Sequence, residues 1–266
     1  MTSARNSQDD LPILLQQNHS PGVLTLTLNR PNQYNALSEG MLAALQRALD
    51  EIAGRDDLKV LILAANGKAF CAGHDLKQMR AHPDKQYYES LFATCSQMML
   101  TLTKIPQIVI AKVHGMATAA GCQLVANADL AIASQDARFA VSGVNLGLFC
   151  STPSVPLSRN VSRKRAFEML VTGDFIDAST AVDYGLVNQA VPAESLDSAV
   201  DKLARNIAGK PAQALRAGKA LFYQQLNLGL ADAYQIAGET MACNMLFEDA
   251  VEGIDAFIEK RAPDWR

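Results

Sequence analysis

Two short turns of small residues hold the groups best placed to do chemistry, Ala72-Gly73-His74-Asp75 and Ala119-Ala120-Gly121-Cys122. Each follows an apolar run that reads as a buried strand, over 60–63 and 108–113. The second turn then opens a segment whose apolar period reads as a helix. A strand, a tight turn and a helix N-terminus leave free backbone N–H groups at one point. Two such turns on neighbouring strands aim one N–H each at a single oxygen. That arrangement favours a thioester carbonyl becoming an enolate. Small-residue turns are also ordinary close packing, so spacing alone leaves both readings open. His74 is the titratable side chain of the first turn, in the range useful near neutral pH. The plainer reading is that only its N–H matters.

The elements that position these turns follow from periodicity. Residues 23–28 alternate apolar residues with threonines, the period of a half-buried strand. Ser38 caps a helix over 39–53 with Met41, Leu42, Leu45, Leu49 and Ile52 on one face, and Gly54 closes it. The uniformly apolar 60–63 reads as a strand buried on both faces. Tyr87, Leu91, Cys95, Met98, Met99 and Leu102 form a helical stripe that ends before Pro106 and reads as core. Residues 129–132 and 138–141 are strand-like, and 145–155 reads as loop. Ser162 caps a helix to about 171, and 186–191 is a last strand. From 194 the pattern is helical, with breaks at Lys210-Pro211 and Phe247-Glu248. Strands alternating with helices, then helices alone, give an α/β class with a core over 1–193 and a helical region over 194–266.

Composition narrows the function classes. The chain has 266 residues, 49% hydrophobic and 19% charged, enough for a sizeable core. A net charge of −3 argues against nucleic-acid binding, which needs a basic face. No run reaches the ~18 apolar residues of a membrane span. Five widely spaced cysteines with no C-x-x-C point to a reducing compartment and to no zinc site. The polar start, MTSARNSQDD, has neither a signal-peptide apolar region nor an Arg-rich transit pattern.

The residues themselves carry a resemblance. Lys68-Ala69-Phe70-Cys71-Ala72-Gly73-His74-Asp75-Leu76 resembles the K-x-F-x-x-G-x-D-L loop of the crotonase, or enoyl-CoA hydratase/isomerase, family. His114-Gly115 through Gly121-Cys122-Gln123-Leu124 resembles its N-G-x-x-x-G-G-G-x-E-L turn. Asn29-Arg30-Pro31 with Asn35-Ala36-Leu37, Thr172-Gly173-Asp174, Tyr184-Gly185-Leu186-Val187 and the closing stretch from Glu252 to Arg261 resemble further landmarks in the same order. The resemblance implies a spiral of ββα units with a C-terminal helical trimerisation region, the trimer often paired into a hexamer. It implies an acyl-CoA ligand and no other cofactor. It places the oxyanion hole at the N–H groups of His74 and Ala120. It places the CoA-lining loop at Lys68, Ala72, Asp75, Leu76 and Lys77.

The chain departs from the family's pattern where proton transfer is expected. The glutamate after the Gly-rich turn is Gln123. The glutamate of F-x-x-P-E-x-x-x-G is Gly143. The aspartate of dienoyl isomerases is Ser151. Hydration needs one group to deprotonate water and another to protonate carbon, and neither glutamine nor glycine does so near neutral pH. Gln123 can still orient a ligand through hydrogen bonds. Phe149, Cys150 and Ser151 are expected to line the acyl pocket. Cys150 has no histidine nearby in sequence to make it a nucleophile. Asp129 matches a structural position, and His19, His82 and His114 are expected in packing or solvent roles. The expectation is an acyl-CoA-binding protein of lipid metabolism without ordinary hydratase activity. The pairing of Gln with Gly resembles a mitochondrial branch, which implies the matrix. An enzyme with a non-standard proton carrier and a non-catalytic oligomeric scaffold are the alternatives.

Overall fold

The computed structural model describes residues 12–265; the polar N-terminal stretch read above lies outside them. Strands β1 (Leu14–Ser20) and β2 (Val23–Leu28) form a hairpin that leads to helix α1 (Glu39–Ala53). Then follow β3 (Val60–Ala65), β4 (Ala69–Cys71), α2 (Leu76–Ala81) and α3 (Lys85–Lys104). The next unit is β5 (Ile108–Val113), β6 (Met116–Thr118) and α4 (Ala120–Asn127). The third is β7 (Leu130–Ser134), β8 (Arg138–Ala140), α5 (Ser151–Asn160) and α6 (Arg163–Thr172). The chain continues through β9 (Ile176–Asp177), α7 (Ala178–Asp183) and β10 (Gln189–Val191). It closes with α8 (Leu196–Ala208), α9 (Ala212–Gln225), α10 (Leu230–Asn244) and α11 (Glu248–Glu259).

After the β1–β2 hairpin, each turn of this spiral contributes one strand to each of two sheets. The larger has the order β1-β2-β3-β5-β7-β10, parallel from β2 onward. The smaller has the order β4-β6-β8-β9. The two-residue period of a strand explains why 60–63 is apolar throughout. Leu61 and Leu63 face the main core with Leu24, Leu26, Val109 and Ala111. Val60 and Ile62 face the opposite side, where Val200 and Ala204 of α8 cover them. α8 therefore packs on the sheet, whereas α9 to α11 leave large apolar side chains exposed, among them Leu230, Met241 and Phe257.

Local chemistry agrees with most boundaries. The Ser38 hydroxyl accepts from the Met41 N–H and Gly54 ends α1. Three expectations are corrected. The proline-bearing 151–155 is not loop, because α5 runs over Ser151–Asn160. Pro153 lies in its first turn, where no N–H is needed for the helix, and Pro156 removes one bond inside it. Ser162 stands at the N-cap of α6, but its side chain makes no cap bond. The last strand is only Gln189–Val191; Leu186 and Val187 are buried ahead of it.

Candidate acyl-thioester site

The two small-residue turns meet. Gly73 has φ +92°, a conformation natural to glycine. A Cβ built there would lie 3.0 Å from the Ala119 Cβ and 3.1 Å from the Ala120 nitrogen. A Cβ at Gly121 would sit inside the Cys71 carbonyl oxygen, so only glycine lets α4 approach the first turn this closely. The Thr118 hydroxyl donates to the Ala72 carbonyl at 3.0 Å and ties the turns together.

Ala119 carries the strain of the second turn. Its φ of 49° and ψ of −119° fall where non-glycine residues rarely go, at a cost of about 1–3 kcal/mol. Its N–H donates to the Ala140 carbonyl (3.0 Å) and its carbonyl accepts from the Gln123 N–H (3.0 Å), which hold it there. The strain rotates the chain so that Ala120 opens α4. A first-turn N–H has no acceptor within its own helix. Neither the Ala120 nor the His74 N–H is a donor in the backbone bonds that close the turns.

The side chains around this point are short of partners. Gln123 is one helical turn past Ala120, on the same face of α4. It is 4% exposed, and its Oε1 has no hydrogen-bond partner. Neither ring nitrogen of His74 makes a hydrogen bond of good geometry, though the ring interacts with the Leu37 backbone; the ring sits edge-on to Phe92 with centroids 5.4 Å apart. Burial holds the His74 imidazole below its ordinary value, partly offset by the Leu37 backbone.

The second carboxylate position is filled, not merely empty. The Gly143 N–H donates to Cys150 Sγ at 3.2 Å. A Cβ at Gly143 would lie 2.8 Å from both that sulfur and the Leu148 carbonyl oxygen. Burial raises the Cys150 thiol. Cys71, Cys95 and Cys122 are pushed up to about 12, also by burial, so these thiols stay protonated near neutral pH.

The structure brings His74, Ala120 and Gln123 onto the two joined turns and sets Cys150 against Gly143. Phe149 and Ser151 are exposed. Lys68, Leu76 and Lys77 are also exposed along the first loop, and Ala72 is half-buried. Asp75 caps α2 by accepting from the Gln78 N–H at 3.2 Å, and its other oxygen lies 3.6 Å from Arg30 Nη1. The remaining histidines have local partners: His19 with Asp201, His82 with the Gln78 carbonyl and His114 with the Gly67 carbonyl.

Asp129 is indeed structural, through partners that sequence reasoning missed. Its Oδ2 accepts from Lys219 Nζ at 2.6 Å and from the Val109 N–H at 2.7 Å, and its Oδ1 accepts from the Tyr223 hydroxyl at 2.6 Å. Lys219 also donates to the Leu102 and Gln107 carbonyls. Nothing in the spacing links residues 129 and 219. The one available signal was a lysine within an apolar helical pattern.

Among the described residues no group of three or more His, Cys, Asp or Glu could hold a metal ion, and no helix is long and apolar enough to cross a membrane. With this fold and these turns, the chain belongs to the enoyl-CoA hydratase/isomerase family, whose model matches residues 18–266. It is 43% identical over 254 residues to rat enoyl-CoA hydratase domain-containing protein 3, mitochondrial, covering 96% of this chain and 85% of the relative. The crystal structure of the human protein of that name superposes with a TM-score of 0.92 at 42% identity, covering 96% of this chain and all of that one (100%). A crystal structure of enoyl-CoA hydratase from Mycobacterium smegmatis superposes with a TM-score of 0.95 at 57% identity, covering 96% and 99% of the two chains.

Proposed function

We propose that this protein binds acyl-CoA thioesters, with the carbonyl oxygen between the N–H groups of His74 and Ala120, and that it does not carry out ordinary enoyl-CoA hydration. One observation carries the second half. Gln123 stands at the first glutamate position, and Gly143, packed against Cys150 and Leu148, at the second. A positioned acid or base contributes roughly 10²–10⁴-fold, and an oxyanion donor roughly 10²–10³-fold. The site keeps the electrostatic part and lacks the proton carriers. The buried Gln123 carbonyl, without a partner of its own, supports a role in orienting a ligand group that donates a hydrogen bond. Lys68, Ala72, Asp75, Leu76 and Lys77 line the path for CoA in this reading. Exposed apolar residues of α9 to α11 support the homotrimer, and its pairing into a hexamer, as the working assembly. The mitochondrial naming of the relatives supports a matrix setting and a role in lipid metabolism.

Calorimetry with CoA, acetyl-CoA and hexanoyl-CoA tests the binding. We expect saturable binding of both thioesters; no measurable heat with either removes the proposal. A second reading, in which His74 acts as a proton carrier, is favoured by its weakly partnered, neutral-leaning ring. It requires enoyl-CoA turnover that disappears in His74→Phe while acetyl-CoA binding persists.

A further inference from the structure

The first turn is not self-supporting; residues 29–37 hold it from outside. Tyr34 and Asn35 are consecutive residues with φ of 50° and 54°, both in the left-handed region. Asparagine tolerates that region better than most side chains. Asn35 is fully buried, at 0% exposure, and its amide is completely used. Its Nδ2 donates to the Asn66 and Ala69 carbonyls, both at 2.8 Å, and its Oδ1 accepts from the Arg30 N–H at 2.8 Å. The left-handed corner aims the neighbouring backbone at the same target. The Ala72 N–H donates to the Tyr34 carbonyl at 3.0 Å, and the Leu37 N–H donates to the Gly73 carbonyl at 2.8 Å. Leu37 and His74 pair as an isolated parallel bridge. The corner thus grips the stretch from Asn66 to His74 at both ends.

The far side of that stretch rests on the second turn's strand. The Gly67 carbonyl pairs with His114 at 2.8 Å, and a Cβ at Gly115 would lie 2.6 Å from the Lys68 carbonyl oxygen. The loop is therefore clamped between the Asn35 corner and the strand that leads to Ala120. Backbone geometry at His74 is held on one side by the neighbouring turn and on the other by the Tyr34 and Leu37 backbone, while the Asn35 side chain anchors that corner to Asn66 and Ala69 at the start of the same stretch.

We infer that Asn35 is a positioning residue for the His74 N–H, setting its alignment with the Ala120 N–H on the thioester oxygen. The inference rests on the acyl-CoA reading above. Asn35 touches no reacting atom in it; it acts through the backbone from Asn66 to His74. Removing its side chain loosens that stretch, including Lys68 and Ala72 of the CoA path, and with it one of the two donors; a preference between two ligands that share the CoA moiety isolates the effect on the donor.

The test compares acetyl-CoA with S-ethyl-CoA, the thioether of equal size that lacks the carbonyl. Wild-type protein is expected to prefer acetyl-CoA about tenfold, the scale of one good hydrogen bond. Asn35→Gly keeps the left-handed corner, which glycine adopts freely. In that variant the preference is expected to fall below twofold, with S-ethyl-CoA still bound saturably. The infrared carbonyl stretch of bound ¹³C-acetyl-CoA, lowered in wild type, is expected to move back toward its free value. Val200→Ala, in the α8 interface away from the site, is the control; it is expected to lower Tm and leave the preference unchanged. An unchanged preference in Asn35→Gly, or an equal loss in Val200→Ala, overturns the inference. If Asn35→Gly does not fold, Asn35→Ser takes its place; failure of both assigns Asn35 to stability and overturns it too. Wild-type protein that binds neither CoA derivative refutes the acyl-CoA reading itself, a distinct outcome.

Discussion

Two buried polar clusters in this protein differ in one respect. Around Asp129, Lys219 and Tyr223 each charge and hydroxyl has found a partner: two backbone carbonyls, one backbone N–H, a carboxylate and a phenol. Around Ala120, the Gln123 carbonyl has none, and the His74 ring makes no hydrogen bond of good geometry, only a weaker interaction with the Leu37 backbone. A satisfied buried network rigidifies, and an unsatisfied one costs stability unless something supplies the missing partner. The first cluster fastens α9 to the end of α3 and to β5. The second sits where two turns leave their backbone N–H groups open. The contrast sets a network closed within the protein beside two turns whose polar groups are less fully paired.

The largest way to break this contrast is at the structural centre. Lys219→Met leaves Asp129 buried without its cation. It should destabilise the fold by about 3–5 kcal/mol, read from urea unfolding. A loss below about 1 kcal/mol would mean that the network is dispensable. The pair Gln123→Glu with Gly143→Glu sharpens the other side. The space at Gly143 is occupied by Cys150 Sγ and the Leu148 carbonyl. The pair should therefore cost about 1–3 kcal/mol from overpacking and give no hydratase activity; a gain of enoyl-CoA hydration would show that the scaffold lacked only its carboxylates.

Smaller effects belong to the unsatisfied cluster. Gln123→Leu removes a buried orphan acceptor. It should leave the unliganded fold unchanged or stabilise it by about 1 kcal/mol, as measured by Tm, whereas a loss above about 2 kcal/mol would mean that the amide has a structural partner. The smallest effect is the pH dependence from His74. Its folded-state value lies below the ordinary 6.5, so the unfolded chain binds more protons in that window. Stability should therefore fall as pH drops through about 6.5 toward the folded-state value, with a slope below one proton. His74→Phe should flatten that segment of the curve.

Much of this was legible from sequence, for identifiable reasons. β3 announces itself because both faces are buried, so every residue is apolar, and β5 does so with the one exception of Lys112. α1 is legible because Ser38, its apolar stripe and Gly54 agree. The smaller sheet was harder to read: β4, β6 and β8 have three residues each, too short to show a period. α5 was hidden by its two prolines, whose positions in the helix sequence alone does not reveal. At the site, Gly73, Ala120 and Gln123 could be named from motif order. The closing of Cys150 over Gly143 could not, because it depends on how the segment from Ser142 to Cys150 folds back on itself. The Asn35 clamp and the Lys219–Asp129 pair depend on contacts 31 and 90 residues apart in the chain, for which one sequence carries no signal.

The central claim is that the protein holds a thioester without hydrating it. Its most direct test follows the conjugated absorbance of crotonyl-CoA mixed with saturating protein. The account predicts that the ligand binds and that its absorbance decays no faster than in buffer. Hydration at rates typical of enzymes, on the order of 1–10³ s⁻¹, would contradict it.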